Sequence, residues 1–229
     1  MIQERKNKVT IGQEGKDGIP VLFVKEGMQD QLLPEGEAGF FTASFLQTAL
    51  WPIQGRMTLL VGLGKKQLDR MKVKEAGAKA AAECRAKKFA AVSLDVSLLV
   101  QEQGMEAVRD VVEGALLSTY HLPGFGEKQK ELSEEPGLEL FLTGITEQQQ
   151  AQAEQLAEEA AVLAEGVMFA RDLVNLPGNH LRPQDFARQI TEQMKGLAVE
   201  CVCYERDQLK AMGMDGLLAV GDRDRKSVV

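Results

Sequence analysis

Few residues in this chain could do chemistry by type and spacing. Val61 to Lys66 reads VGLGKK, with glycines after an apolar run and then lysines. That order invites a phosphate site, where successive backbone N–H groups wrap the anion and a lysine reaches it. A P-loop needs four residues between its glycines and a Ser or Thr after the lysine. Here the glycines are two apart and Lys66 follows Lys65. The dinucleotide pattern G-x-G-x-x-G fails at Gln67. The expectation for this segment is a tight strand-to-helix turn.

The other candidates stand alone. Cys201 and Cys203 form a C-x-C within VECVCYE. On a strand both would share one face, but no second Cys/His pair follows at zinc-site spacing. Cys84 lies in an alanine-rich stretch and reads as a small buried hydrophobe. His121 and His180 are the only histidines. Neither has a second ligand at i+4 or a carboxylate at a recognisable spacing. Asp95 interrupts the apolar run AAVSLDVSLL and reads as a strand-end group pairing with a neighbour. No second carboxylate makes it half of an acid–base dyad. Ser44, Ser93 and Ser118 lie in no nucleophile motif. No catalytic, cofactor-binding or metal-ligating residue is therefore assigned to this chain.

The bulk composition narrows the field. The 229 residues are 44% hydrophobic, enough for real cores, and carry a net charge of −7. The short Arg5, Lys6, Lys8 group is the one basic cluster. That argues against nucleic acid as a partner, which calls for a basic face. No apolar run approaches the length of a membrane span. The N-terminus MIQERKNKVT lacks the apolar core of a signal peptide. A cytoplasmic protein is expected.

The pattern of elements predicts an α/β fold. Lys8–Ile11 and Val21–Val24 read as strands, and Phe40–Leu50 has helical spacing at 41, 45, 46 and 49 that Trp51-Pro52 would break. Arg56–Gly64 is the clearest strand, its MTLLV run being what burial on both faces requires. A helix over Leu68–Lys88, a strand over Ala90–Leu99, a helix over Gly104–Tyr120 and a strand over Leu138–Thr143 follow. Strands alternating with helices imply parallel neighbours and right-handed crossovers. The two early strands are expected to extend the sheet with some antiparallel pairing. Residues 1–146 thus form a three-layer α/β domain with a mixed, largely parallel sheet.

Next comes a long helix from Glu147, with Ala153, Leu156, Ala160, Leu163, Val167, Ala170 and Val174 in steps of three and four. Pro177 and Gly178 stop it. Its first half is acidic with an alanine seam, and its second half is fattier. That composition suits a linker over 147–176, half solvated and then entering the next domain. Beyond it, Arg182–Met194 reads as a helix, Leu197–Tyr204 as a strand, Glu205–Met212 as a helix and Gly216–Val220 as an apolar start. Residues 177–229 are too few to bury a second α/β sheet and read as an incomplete domain.

Residues 170–187, ARDLVNLPGNHLRPQDFA, resemble the lead-in to the catalytic domain of the leucyl aminopeptidase (cytosol aminopeptidase) family. Ala170, Arg171, Asp172, Leu173, Asn175, Pro177, Asn179, Leu181 and Pro183 all fit its pattern. Residues 204–221, YERDQLKAMGMDGLLAVG, and LLVGLGKK at 59–66 look like two further family stretches. The resemblance implies a macro-like N-terminal domain, a linker helix and a peptidase domain. It further implies a hexamer that hydrolyses N-terminal residues from peptides with two divalent metals, Mn or Zn. The family's metal-binding motifs, similar to V-G-K-G-[IL]-T-F-D-[ST]-G-G and N-T-D-A-E-G-R, do not occur here. The chain by itself is expected to be inactive and to bind no metal. The alternative is a macro-like ligand-binding or oligomer-assembly module without catalysis.

Overall fold

A computed structural model describes residues 7–12, 18–34, 39–89, 91–122 and 137–225. The chain forms two compact units, Met1–Asn175 and Leu176–Val229.

The first unit is built on a six-stranded sheet. Its strands are β1 (Lys8–Ile11), β2 (Ile19–Lys25), β3 (Thr48–Ile53), β4 (Arg56–Gly64), β5 (Ala91–Asp95) and β6 (Glu139–Thr143). Their order is β1-β6-β5-β2-β4-β3, with every pair parallel except β3 and β4. From Thr58 to Gly64 every residue of β4 is buried, as its unalternated apolar sequence requires of a strand covered on both faces.

The helices of this unit are α1 (Gln29–Leu32), α2 (Arg70–Ala86), α3 (Ser97–Gln103), α4 (Glu106–Leu117) and α5 (Glu147–Asn175). Asp69 caps α2, its carboxylate accepting from the Lys72 N–H at 2.9 Å. Val21, Val61, Leu94, Leu140 and Leu142 share one apolar core with α2, α4 and α5. The other face of the sheet carries a smaller cluster of Val24, Leu33, Phe41, Ala43 and Leu60, closed by α1 and the loop 39–47.

Helix α4 is buried on nearly all sides, nine of its twelve residues being inaccessible. It meets α2 backbone to backbone. A Cβ on Gly77 would overlap the Val111 carbonyl, and one on Gly114 would overlap the Lys74 carbonyl. Two carboxylates enter the same seam. Asp110 is 1% exposed and receives a two-pronged contact from Arg70, with both N···O distances 3.1 Å. Glu113 pairs with Lys74 at 2.8 Å. Pairing is what permits these charges to be buried.

Several sequence expectations are corrected. Phe40–Leu50 is not a helix: positive φ at Ala43 (55°) and Leu46 (62°) bends it into a loop that runs into β3. Trp51 and Pro52 lie inside β3, where proline is tolerated because β3 is a sheet edge. The hairpin turn is Gln54-Gly55, both with positive φ (50° and 80°), matching a two-residue primed turn. The expected strand 90–99 ends at Asp95, and α3 begins two residues later. Strand β2 is central and parallel to both neighbours rather than an extension, and β1 is a parallel edge. The antiparallel pair is β3 with β4.

Helix α5 forms where expected but seats differently. Ala153, Leu156, Ala157, Ala160, Ala164 and Met168 belong to the first unit's core, while Leu163, Val167 and Val174 are exposed. Steps alternating three and four follow a 3.5-residue repeat, whereas a straight helix drifts ~20° per heptad from it. The buried stripe therefore rotates off the expected one along the helix. The alanine half is the seated half, because small side chains allow a close approach to the core.

The second unit holds α6 (Pro183–Gln193), α7 (Arg206–Ala211) and α8 (Asp215–Arg225). Residues 197–204, expected as a strand, form none, there being no sheet among the described residues of this unit to pair with. No side chain from 176 to 220 is buried.

Replacing Gly77 or Gly114 by Ala is predicted to destabilise the first unit by about 1–3 kcal/mol each through overpacking. Gly166→Ala, where nothing lies within 4 Å, is predicted to be neutral or stabilising. Urea titration of the three variants checks the contrast.

Candidate functional site

The VGLGKK segment sits at the carboxyl end of β4 and enters α2. Its glycines serve packing. The Gly62 N–H donates to the Gln47 carbonyl at 2.8 Å, and the Gly64 N–H donates to the Ala43 carbonyl at 2.9 Å. A Cβ on Gly62 would overlap the Ser44 carbonyl. The donors that a phosphate would need from these glycines are thus taken by the chain's own loop. Lys65 and Lys66 are exposed. The turn expected from the sequence is what forms.

The neighbouring strand ends are equally committed. Lys25 at the end of β2 pairs with Glu102 of α3 at 2.5 Å. Asp95 ends β5 and accepts from the Ser97 N–H at 2.9 Å, opening α3. Gly144, with φ +75°, lies so close to Asp95 Oδ1 that a Cβ would not fit. Asp95 is therefore the strand-end polar group that its sequence setting suggests.

The remaining candidates do not converge. Ser118 donates to the Ala115 carbonyl at 2.7 Å, and Ser44 shares a 2.9 Å hydroxyl contact with Thr42. Ser93 is buried within β5. His121 Nδ1 lies 3.3 Å from the Thr119 carbonyl after α4. His180 is exposed in the other unit. Cys201 and Cys203 are not on a strand, yet both thiols approach the Thr191 hydroxyl, at 3.7 and 3.8 Å. Among the described residues no group of three or more His, Cys, Asp or Glu could hold a metal ion. The metals implied by the resemblance find no fitting donor set here. Among those residues no helix is long and apolar enough to cross a membrane.

Two arrangements went unseen in the sequence. The first fastens the end of α5. The Arg171 guanidinium lies over the Tyr120 ring, 5.5 Å from its centroid, and Asn175 Nδ2 donates to the Tyr120 hydroxyl at 3.0 Å. Two residues of the family-like motif thereby hold the helix end against the segment after α4. Only the motif's own residues could have signalled this, since Tyr120 lies far away in sequence. The second is a cleft of about 550 Å³ between β1 and α5, with Val9, Ile11, Ala157 and Ala161 among its walls and Glu154, Glu158 and Glu165 along it.

Comparison with known proteins gives one family. The model described as "Cytosol aminopeptidase family, N-terminal domain" matches residues 48–129. The one described as "Cytosol aminopeptidase family, catalytic domain" matches residues 168–226. A "Probable cytosol aminopeptidase" of Geobacter sp. (strain M21) is 33% identical over 187 residues, covering 81% of this chain and 37% of that protein. The structure of the bottromycin maturation enzyme BotP in complex with Mn superposes with a TM-score of 0.69 at 25% identity, over 89% of this chain and 41% of that one. A tomato leucine aminopeptidase mutant shares the fold, with a TM-score of 0.63 at 14% identity over 85% of this chain and 43% of its own. The chain thus spans well under half the length of these relatives.

Cys84 is fully buried in the core, and that burial pushes its thiol from an ordinary 9.0 up to about 12. A thiol reagent is therefore predicted to titrate Cys201 and Cys203 in the folded chain, and Cys84 only after unfolding. The folded state holds the Cys84 proton more tightly than the unfolded state. Its contribution to stability is complete below pH 9.0 and is lost as the pH rises to about 12. Cys84→Ala should flatten that part of the alkaline slope in urea titrations, and an unchanged slope would contradict the assignment.

Proposed function

The chain belongs to the cytosol aminopeptidase family, and on that premise we propose that it is the N-terminal part of a two-metal leucyl aminopeptidase. Residues 1–146 are its macro-like N-terminal domain, 147–176 the linker helix, and 177–229 the start of the peptidase domain. The whole protein would remove N-terminal residues from peptides in the cytoplasm. It would do so with two divalent metals, Mn or Zn, as a homo-hexamer.

The observation that carries this proposal is the state of the second unit. The stretch matched by the catalytic-domain family begins at 168 and runs to 226, and from 176 to 220 not one side chain is buried. Phe186, Leu197, Val199, Tyr204, Met212 and Leu217 are all exposed. Such density of exposed apolar surface is what a partial core presents before its remaining layers are added. The family boundary at 168 falls inside α5. That supports a helix shared between the two domains, its alanine face on one and its exposed Leu163, Val167 and Val174 left for the other.

Metals in such an enzyme activate water and polarise the scissile carbonyl, and they need several ligands on rigid elements. The described residues offer no such set, so no catalytic step is assigned to this chain. The purified 229-residue chain is predicted to release no leucine from leucyl-p-nitroanilide above a metal-only blank, with Mn²⁺ or Zn²⁺. Metal-dependent turnover would overturn the inactive-part assignment. Sequencing the DNA downstream of codon 229 is expected to reveal the lysine–aspartate and N-T-D-A-E-G-R motifs, and a frame without them would overturn the parent assignment.

A further inference from the structure

Among the described residues the sheet of the first unit ends at β1. The Lys8 and Gly12 N–H groups donate to the Leu138 and Leu142 carbonyls at 3.0 and 2.9 Å. Along a parallel strand, alternate residues turn their N–H and C=O to opposite sides. The backbone groups of Val9 and Ile11 therefore face away from β6. Among the described residues no strand pairs with that side.

Helix α5 makes the facing wall of the cleft along this edge. Ala157 and Ala161 keep the wall shallow, leaving room for a backbone and its side chains. Glu154, Glu158 and Glu165 stand along the same cleft and are exposed. No Lys or Arg occurs on α5 before Arg171. Glu154 and Glu158 are four residues apart, about 6 Å along the helix axis. Alternate side chains of a strand repeat at about 6.6 Å. A strand running along the helix could thus set successive same-face cations against successive glutamates.

We propose that this groove captures an extended peptide with Lys or Arg at alternate positions, added as a strand to the β1 edge. The groove lies wholly within residues 1–175, and the proposal is independent of the catalytic assignment. A second copy of this chain is the poorer occupant. Two copies joined at β1 would bring their glutamate rows toward one another, on chains that each carry a net charge of −7. A basic strand instead meets a strand edge and a row of glutamates that have no strand or cation against them among the described residues.

The test is fluorescence anisotropy of the 229-residue chain with a labelled alternating Lys-Val octapeptide, against the Glu-Val octapeptide. The lysine probe is expected to bind at least about tenfold more tightly, and to weaken as salt rises from about 50 to about 300 mM. Val9→Pro removes the outward N–H and spares the hydrogen bonds to β6, so it should weaken binding about fivefold or more. The double variant Glu158→Lys, Glu165→Lys should weaken it about tenfold or more. It lies on an exposed helix face, so it decides the matter if the proline variant fails to fold by circular dichroism. Equal binding of the two probes, or unchanged binding in the charge variant, would overturn the proposal. So would a dimer in sedimentation that Val9→Pro dissolves, because β1 would then be the chain's own interface.

Discussion

The seam between α2 and α4 is the constraint on which the first unit depends. Its two helices approach until Gly77 and Gly114 leave no room for a Cβ on either side. At that separation the Asp110 and Glu113 carboxylates are drawn out of water, and Arg70 and Lys74 must answer them from α2. Breaking one partner of such a pair costs far more than the pair contributes. The seam therefore specifies how α2 and α4 pack as much as it stabilises them. With α4 fixed and covered, its other side is available to α5. The alanine face of α5 then completes the layer over the sheet.

This ordering explains why α5 belongs to the first unit even though its sequence reads as a connector. Alanines supply little apolar area but permit close contact, and many small contacts along a long helix sum to a firm seat. The exposed side of the same helix is apolar at Leu163, Val167 and Val174. The helix thus has two apolar faces, one buried in the first unit's core and one exposed. The second unit repeats the theme without resolution, since its helices expose the residues that should make a core. In the parent enzyme proposed above, the rest of the peptidase domain would cover both.

Much of the fold was legible because the signals were local. Buried strands without alternation, such as Thr58–Val61 in β4, and the alanine-rich helix expected over Leu68–Lys88 state their own type. What failed depended on distant partners. Phe40–Leu50 has helical spacing, but its loop is held by hydrogen bonds to Gly62 and Gly64 on another element. The Gln54-Gly55 turn is a weaker hairpin signal than Asn-Gly. Residues 197–204 carry a strand pattern but have no strand beside them among the described residues of their unit. For function, the Val61–Lys66 segment departs from phosphate-loop spacing, and its glycine N–H groups donate to the 39–47 loop instead. The Tyr120 clasp on Arg171 and Asn175 and the β1–α5 groove were not readable, since each joins residues far apart in the chain.

The central claim is that residues up to Asn175 form a self-sufficient unit that includes α5, while the following residues do not. Hydrogen–deuterium exchange on the intact chain tests it most directly. Strong, cooperative protection is expected in β4, α2, α4 and α5 as far as Leu173, and rapid exchange throughout α6, α7 and α8. Protection of α6–α8 equal to that of the sheet, or early exchange of Ala153–Ala164, would contradict it.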